Sequence, residues 1–144
     1  PMKILIYGLP GSGKSTLAEP FAELVNGVWL NADKIRHMYD DWDFTPEGRI
    51  RQAQRMRYLA DGVVMAGKIA VADFVCPTEE ARKVFAPDFT VWMDTISRGR
   101  YEDTNDMFET PEQVDYHVSQ WFNNTPEALL PVVNRFMGKQ YDGL

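Results

Sequence analysis

The chain has one cysteine, Cys76, so no disulfide can form within it, and a reducing, cytoplasmic setting is expected. Histidine is nearly absent, with only His37 and His117, which leaves no histidine-rich metal cluster to read. No apolar run approaches the ~18 residues of a membrane span, and no signal-peptide pattern is seen, so no membrane partner is expected. Excess positive charge is lacking too: the net charge is −6, so nothing global draws the chain to nucleic acid. Repeats and low-complexity tracts are missing. What remains is ordinary: 144 residues, 44% hydrophobic, enough for one domain spanning 1–144 with its own core.

Against that background one run stands out. Gly8-Leu9-Pro10-Gly11-Ser12-Gly13-Lys14-Ser15-Thr16 fits the phosphate-loop pattern G-x-x-x-x-G-K-[ST]. Glycines let the backbone approach an anion, and the loop N–H groups converge on phosphate oxygens at the start of the next helix. Lys14 is expected at the β- and γ-phosphates of ATP, and Ser15 on Mg²⁺. The apolar run Lys3 to Tyr7 precedes the loop as a buried strand, and Leu17, Ala18, Phe21 and Ala22 follow at helical spacing.

Strand and helix signals then alternate, which predicts an α/β fold, a phosphate-loop NTPase with a five-stranded parallel sheet and helices on both faces. Strands are expected at 2–7, 27–30, 69–75, 89–93 and 116–118, and helices at 14–25, 32–39, 78–85 and 125–137. A long helix is expected from Pro46 to Gly67. Residues 97–112 are polar and aperiodic and read as loop. Pro131 predicts a kink or a late start in the last helix. Of the four tryptophans, most read as core, with Trp42 on the acceptor side.

Ligands of open parallel sheets bind beyond the carboxyl ends of the strands. Asn31-Ala32-Asp33-Lys34-Ile35-Arg36 follows the second strand, so Asp33 is placed to orient an acceptor hydroxyl and take its proton. Arg36, one turn on, can grip an anion; helix capping by Asn31 or Asp33 with a solvated Arg36 is the alternative. Two predicted strands end in aspartate, Asp73 and Asp94; Asp73 is preferred as the carboxylate supporting Mg²⁺ beside Ser15. Arg98 and Arg100 lie where small kinases carry a lid, and can neutralise the transferring phosphoryl.

Phe44-Thr45-Pro46-Glu47-Gly48-Arg49 and Phe74-Val75-Cys76-Pro77, with Arg82 five beyond, resemble the adenylylsulfate kinase (APS kinase) family over about residues 3–95. That resemblance implies MgATP-dependent phosphorylation of the 3′-hydroxyl of adenylylsulfate, within sulfate assimilation. It implies acceptor contacts at Asp33, Arg36, Phe44, Arg49, Gln52, Phe74 and Val75, with the two phenylalanines flanking the base. A homodimer is compatible with it. The sequence departs from the family pattern at Asn31 (usually Asp), Gln52 (usually Asn), Asp73 and Cys76 (usually Ser), and in a lid shorter by roughly fifteen residues. Asn-x-Asp-x-x-Arg and Asp73 are also similar to polynucleotide 5′-kinases, so a polynucleotide or nucleoside 5′-hydroxyl is the alternative acceptor, and only there is nucleic acid a partner. A nucleotide-binding module without catalysis is the third reading.

Overall fold

The computed structural model describes residues 1–99 and 101–141, with side chains through 138. Five strands form one fully parallel sheet: β1 (Lys3–Tyr7), β2 (Val28–Asn31), β3 (Ala70–Asp73), β4 (Phe89–Met93) and β5 (Tyr116–Val118), in spatial order β2-β3-β1-β4-β5. Alternation along β1 sends Ile4 and Ile6 to one face and Leu5 and Tyr7 to the other. The first pair packs with Leu17, Phe21, Leu129 and Val133 of α1 (Lys14–Leu24) and α6 (Thr125–Tyr141). The second packs with Ile35, Met56 and Phe85 of α2 (Ala32–Tyr39), α3 (Pro46–Met65) and α4 (Glu79–Phe85). Both faces are therefore covered, as strands apolar on both sides require.

Capping sets the helix starts. Asn31, Thr45 and Thr78 each accept a backbone N–H from the residue three ahead, opening α2, α3 and α4. Gly67, in the left-handed region at φ 83°, follows α3, and Lys68 N–H returns to Val63 O.

Two expectations are corrected. Residues 102–107 form a short helix, α5 (Glu102–Met107), inside the segment read as loop. Its only buried residue is Thr104, so no apolar periodicity betrays it; Glu102 and Asp103 in its first turn suit the helix dipole. Pro131 does not delay the start of α6, which begins at Thr125 and includes it. The carbonyl that Pro131 cannot serve is that of exposed Glu127, where water can take the place of the missing N–H. Among the described residues no helix is long and apolar enough to cross a membrane.

Candidate active site

The loop between β1 and α1 is built by its glycines. A Cβ on Gly8 would lie 2.5 Å from Met93 O, and Gly13, at φ 93°, turns the chain into α1. Thr95 Oγ1 donates to Ser12 O at 2.7 Å and ties the loop to the end of β4.

Lys14 Nζ donates to Leu9 O at 3.0 Å. Burial lowers its pKa to about 8, a fall opposed by the nearby carboxylates Asp73 and Asp33. Ser15 Oγ donates to Asp73 Oδ1 at 3.3 Å. Asp73 is 2% exposed, and burial raises its pKa against hydrogen bonds from Trp29, Asn31 and Ser15 and the charge of Lys14. Asp94, the other strand-terminal aspartate, instead lies 2.9 Å from His117 Nε2. No cluster of three or more metal-ligating side chains occurs among the described residues. A hydroxyl and a carboxylate oxygen side by side at a phosphate loop nevertheless fit Mg²⁺, which takes few protein oxygens and completes its shell with water and phosphate.

A cleft of about 1250 Å³ opens over this loop and runs to α5. It is lined by Pro10, Gly11, Gly13, Lys14, Ser15 and Thr16, and by Asp33, Arg36, Phe44, Arg49, Gln52, Asp73, Phe74 and Val75. Asp33 is exposed in the first turn of α2, on the cleft wall with Lys14. Gly8, Leu9 and Ser12 shape the loop from behind.

Within the cleft several side chains are already engaged. Arg36, 3% exposed, donates to Asp41 O and Asp43 O at 2.9 and 3.2 Å and lies over the Phe44 ring. Gln52 donates to Ala32 O and accepts from Arg55, bracing α3 against α2. Phe44 is 47% exposed, with Arg36 and Arg49 over its ring at 4.4 and 4.9 Å. Phe74 is buried and meets Phe85 edge-on, so it offers the cleft little ring surface. The pair is therefore not arranged as an open sandwich for a base.

Arg98 is not brought to the cleft. It is exposed and forms a bidentate pair with Glu102, four residues on, which it would have to release to reach a phosphate. Arg100 lies outside the described residues.

Three contributions were not read as part of the site from the sequence, although Arg82 stood in the motif at 74–82. Tyr101, Asp103, Thr104 and Met107 of the α5 segment form the far wall of the cleft, and Arg49 Nη2 donates to Thr104 Oγ1 at 3.0 Å. Arg82, 6% exposed, donates to Cys76 O, Pro77 O and Glu109 O, and its guanidinium lies over the rings of Tyr7 and Phe108. It clamps the loop after β3 to the end of α5. Trp29, half-buried rather than core, donates to Asp73 Oδ2 at 2.5 Å.

A family model described as adenylylsulphate kinase matches residues 1–96. The adenylyl-sulfate kinase of Shewanella baltica is 32% identical over 97 residues, covering 63% of this chain and 47% of that protein. The probable adenylyl-sulfate kinase of Aeropyrum pernix is 30% identical over 90 residues, covering 56% of this chain and 48% of that protein. The chain spans about half the length of these curated relatives. Among solved structures, the APS kinase CysC of Mycobacterium tuberculosis, in complex with AMPPNP and APS, superposes with a TM-score of 0.75 at 19% identity. That likeness covers 92% of this chain and 97% of the other, and concerns the fold. The match over residues 1–96 shows that the chain belongs to the adenylylsulphate kinase family.

Proposed function

We propose that residues 1–144 act as one kinase domain that transfers the γ-phosphoryl of ATP to the hydroxyl of a small nucleotide-like acceptor, adenylylsulfate at its 3′-hydroxyl. The observation that carries this reading is the meeting, in one cleft, of Lys14, the Ser15–Asp73 pair and the exposed carboxylate of Asp33. The family match supports adenylylsulfate as the acceptor.

The loop N–H groups and Lys14 hold the triphosphate, and Lys14 offsets charge that grows on the phosphoryl in flight. Ser15 and Asp73 would hold Mg²⁺, which would neutralise charge on the phosphates. Asp33 orients the acceptor hydroxyl and accepts its proton. Arg49 and the exposed ring of Phe44 meet the acceptor at the far wall, while Arg36 sets the position of that ring. At about 1250 Å³ the cleft exceeds the ~300–1,000 Å³ typical of a single small-molecule site, so it suits two ligands together. Because α5 is tied to α3 by Arg49 and Thr104, the acceptor side suits a mononucleotide better than a threaded strand. A donor of this kind implies a compartment rich in ATP, and we place the chain in the cytoplasm on that ground.

The test is an acceptor panel with labelled ATP: adenylylsulfate, nucleosides, 3′-nucleotides and short 5′-hydroxyl oligonucleotides. Adenylylsulfate is expected to take the label. Label on the oligonucleotides alone transfers the assignment to 5′-hydroxyls, and tight ATP binding with no labelled acceptor removes the kinase reading.

A further inference from the structure

Asp73 is held from two sides by side chains of β2, Trp29 and Asn31. In the parallel pairing of β2 with β3, Asn31 stands opposite Asp73 and Trp29 opposite Val71. Trp29 and Asn31, two apart, lie on the same face of β2, the second directly beside Asp73 and the first diagonal to it. Trp29 Nε1 donates to Oδ2 at 2.5 Å, while Asn31 Nδ2 reaches Oδ1 at 3.3 Å, Oδ2 at 3.4 Å and Ser15 Oγ at 3.2 Å.

The orientation of Asn31 is fixed by the chain itself. Its Oδ1 accepts Lys34 N–H at 3.0 Å as the cap of α2, so its amide nitrogen is the group turned toward the carboxylate. Trp29 is fixed too: its ring packs on the core beneath α1, and Lys34 Nζ lies over it at 4.4 Å. Two rigid donors therefore grip the carboxylate, the strong contact falling on Oδ2, which leaves Oδ1 turned to Ser15.

We infer that Trp29 and Asn31 are positioning residues that hold Asp73 with Oδ1 presented to Ser15 and to the magnesium ion of the donor nucleotide. The inference rests on the Ser15–Asp73 metal reading given above. Neither residue is placed on the transferring group; Trp29 acts through Asp73, and Asn31 through Asp73 and Ser15. A carboxylate buried to 2% exposure and stripped of one donor would rotate or draw in water, and the oxygen pair at residues 15 and 73 would lose its geometry.

The experiment compares ATP affinity by calorimetry in Mg²⁺ and in EDTA, for the wild type, Trp29→Phe and Asn31→Ser. Phenylalanine keeps an aromatic ring and deletes the N–H. Serine keeps a helix cap and deletes the amide. The wild type should bind ATP more tightly with Mg²⁺ than without. In each variant that Mg²⁺-dependent gain should shrink by about 10- to 100-fold, the usual loss when a partner orienting a metal ligand is removed, with affinity in EDTA unchanged. A full Mg²⁺ gain in both variants overturns the inference. So does an equal loss of affinity in Mg²⁺ and EDTA, which marks packing or capping alone. If Trp29→Phe does not fold, Asn31→Ser decides. A wild type that gains nothing from Mg²⁺ overturns the metal reading itself, a result separable from the others.

Discussion

Arg82→Met tests whether the cleft is held in shape by a buried cation remote from the phosphate loop. The substitution leaves Cys76 O and Glu109 O without their donor, whereas Pro77 O keeps Glu109 N–H at 2.7 Å. A buried carbonyl left unpaired costs ~1–3 kcal/mol, and Cys76 O is such a group. Glu109 O is reached by water and adds less. The pair with half-exposed Glu79 is worth at most ~1 kcal/mol. Two guanidinium–ring contacts, to Tyr7 and Phe108, contribute ~0.5–2 kcal/mol each, part of which methionine recovers by packing on the same rings. The sum is about 3–5 kcal/mol, within what 144 residues can lose and still fold. With m between ~1 and 3 kcal/mol/M in urea, the unfolding midpoint should fall by about 2 M. Because the clamp joins the Cys76–Pro77 turn to Phe108 and Glu109, the acceptor KM should rise while the ATP KM stays within about twofold. A stability loss below about 1 kcal/mol, or equal rises in both KM values, would refute the clamp.

Three further expectations follow from the site. Burial brings Lys14 from 10.5 to about 8, so between those values the unfolded chain holds a proton that the folded chain has released. Stability of the nucleotide-free protein should therefore rise with pH across that window, ATP affinity should fall above pH ~8, and Lys14→Met should lose both trends along with transfer; thermal melts and binding isotherms from pH 7 to 10 check this. Asp33→Asn should leave ATP binding intact and slow transfer by about 10²–10⁴-fold, measured in single turnover; a drop of less than about fivefold would reduce Asp33 to a helix-end residue. Arg49→Ala should raise the acceptor KM by the equivalent of ~1–3 kcal/mol, since it removes an acceptor contact and unties α5 from α3; an unchanged acceptor KM in steady-state assays would remove Arg49 from the acceptor side.

The phosphate loop was legible because its chemistry allows few residues: no Cβ fits at Gly8, and only a cation at Lys14 serves. The sheet was legible because β1 and β3 are apolar on both faces, which a parallel sheet demands. Helix α5 was not, since polar contacts secure it instead of an apolar stripe. Arg49 binds Thr104, Asn105 exchanges two bonds with Gly99, and Arg82 holds Glu109 O. Arg36 shows another part that was not legible. Its spacing from Asp33 invites an anion and it does line the cleft, yet the loop at 41–43 folds back and presents two carbonyls to its Nη1. A sequence gives the reach of an arginine but not which of its donors the fold engages.

The site around Asp73 depends on strand order, which local signals do not carry. Placing β3 between β1 and β2 puts Asp73 level with Ile6 on one side and Asn31 on the other. Only then does Ser15, entering α1 after β1, meet a carboxylate from residue 73 and an amide from residue 31. A one-residue slip between β2 and β3 would turn Trp29 and Asn31 to the other face of the sheet and leave Asp73 with neither donor. The contacts of Asp73 with Ser15, Trp29 and Asn31 are thus a consequence of strand order and register.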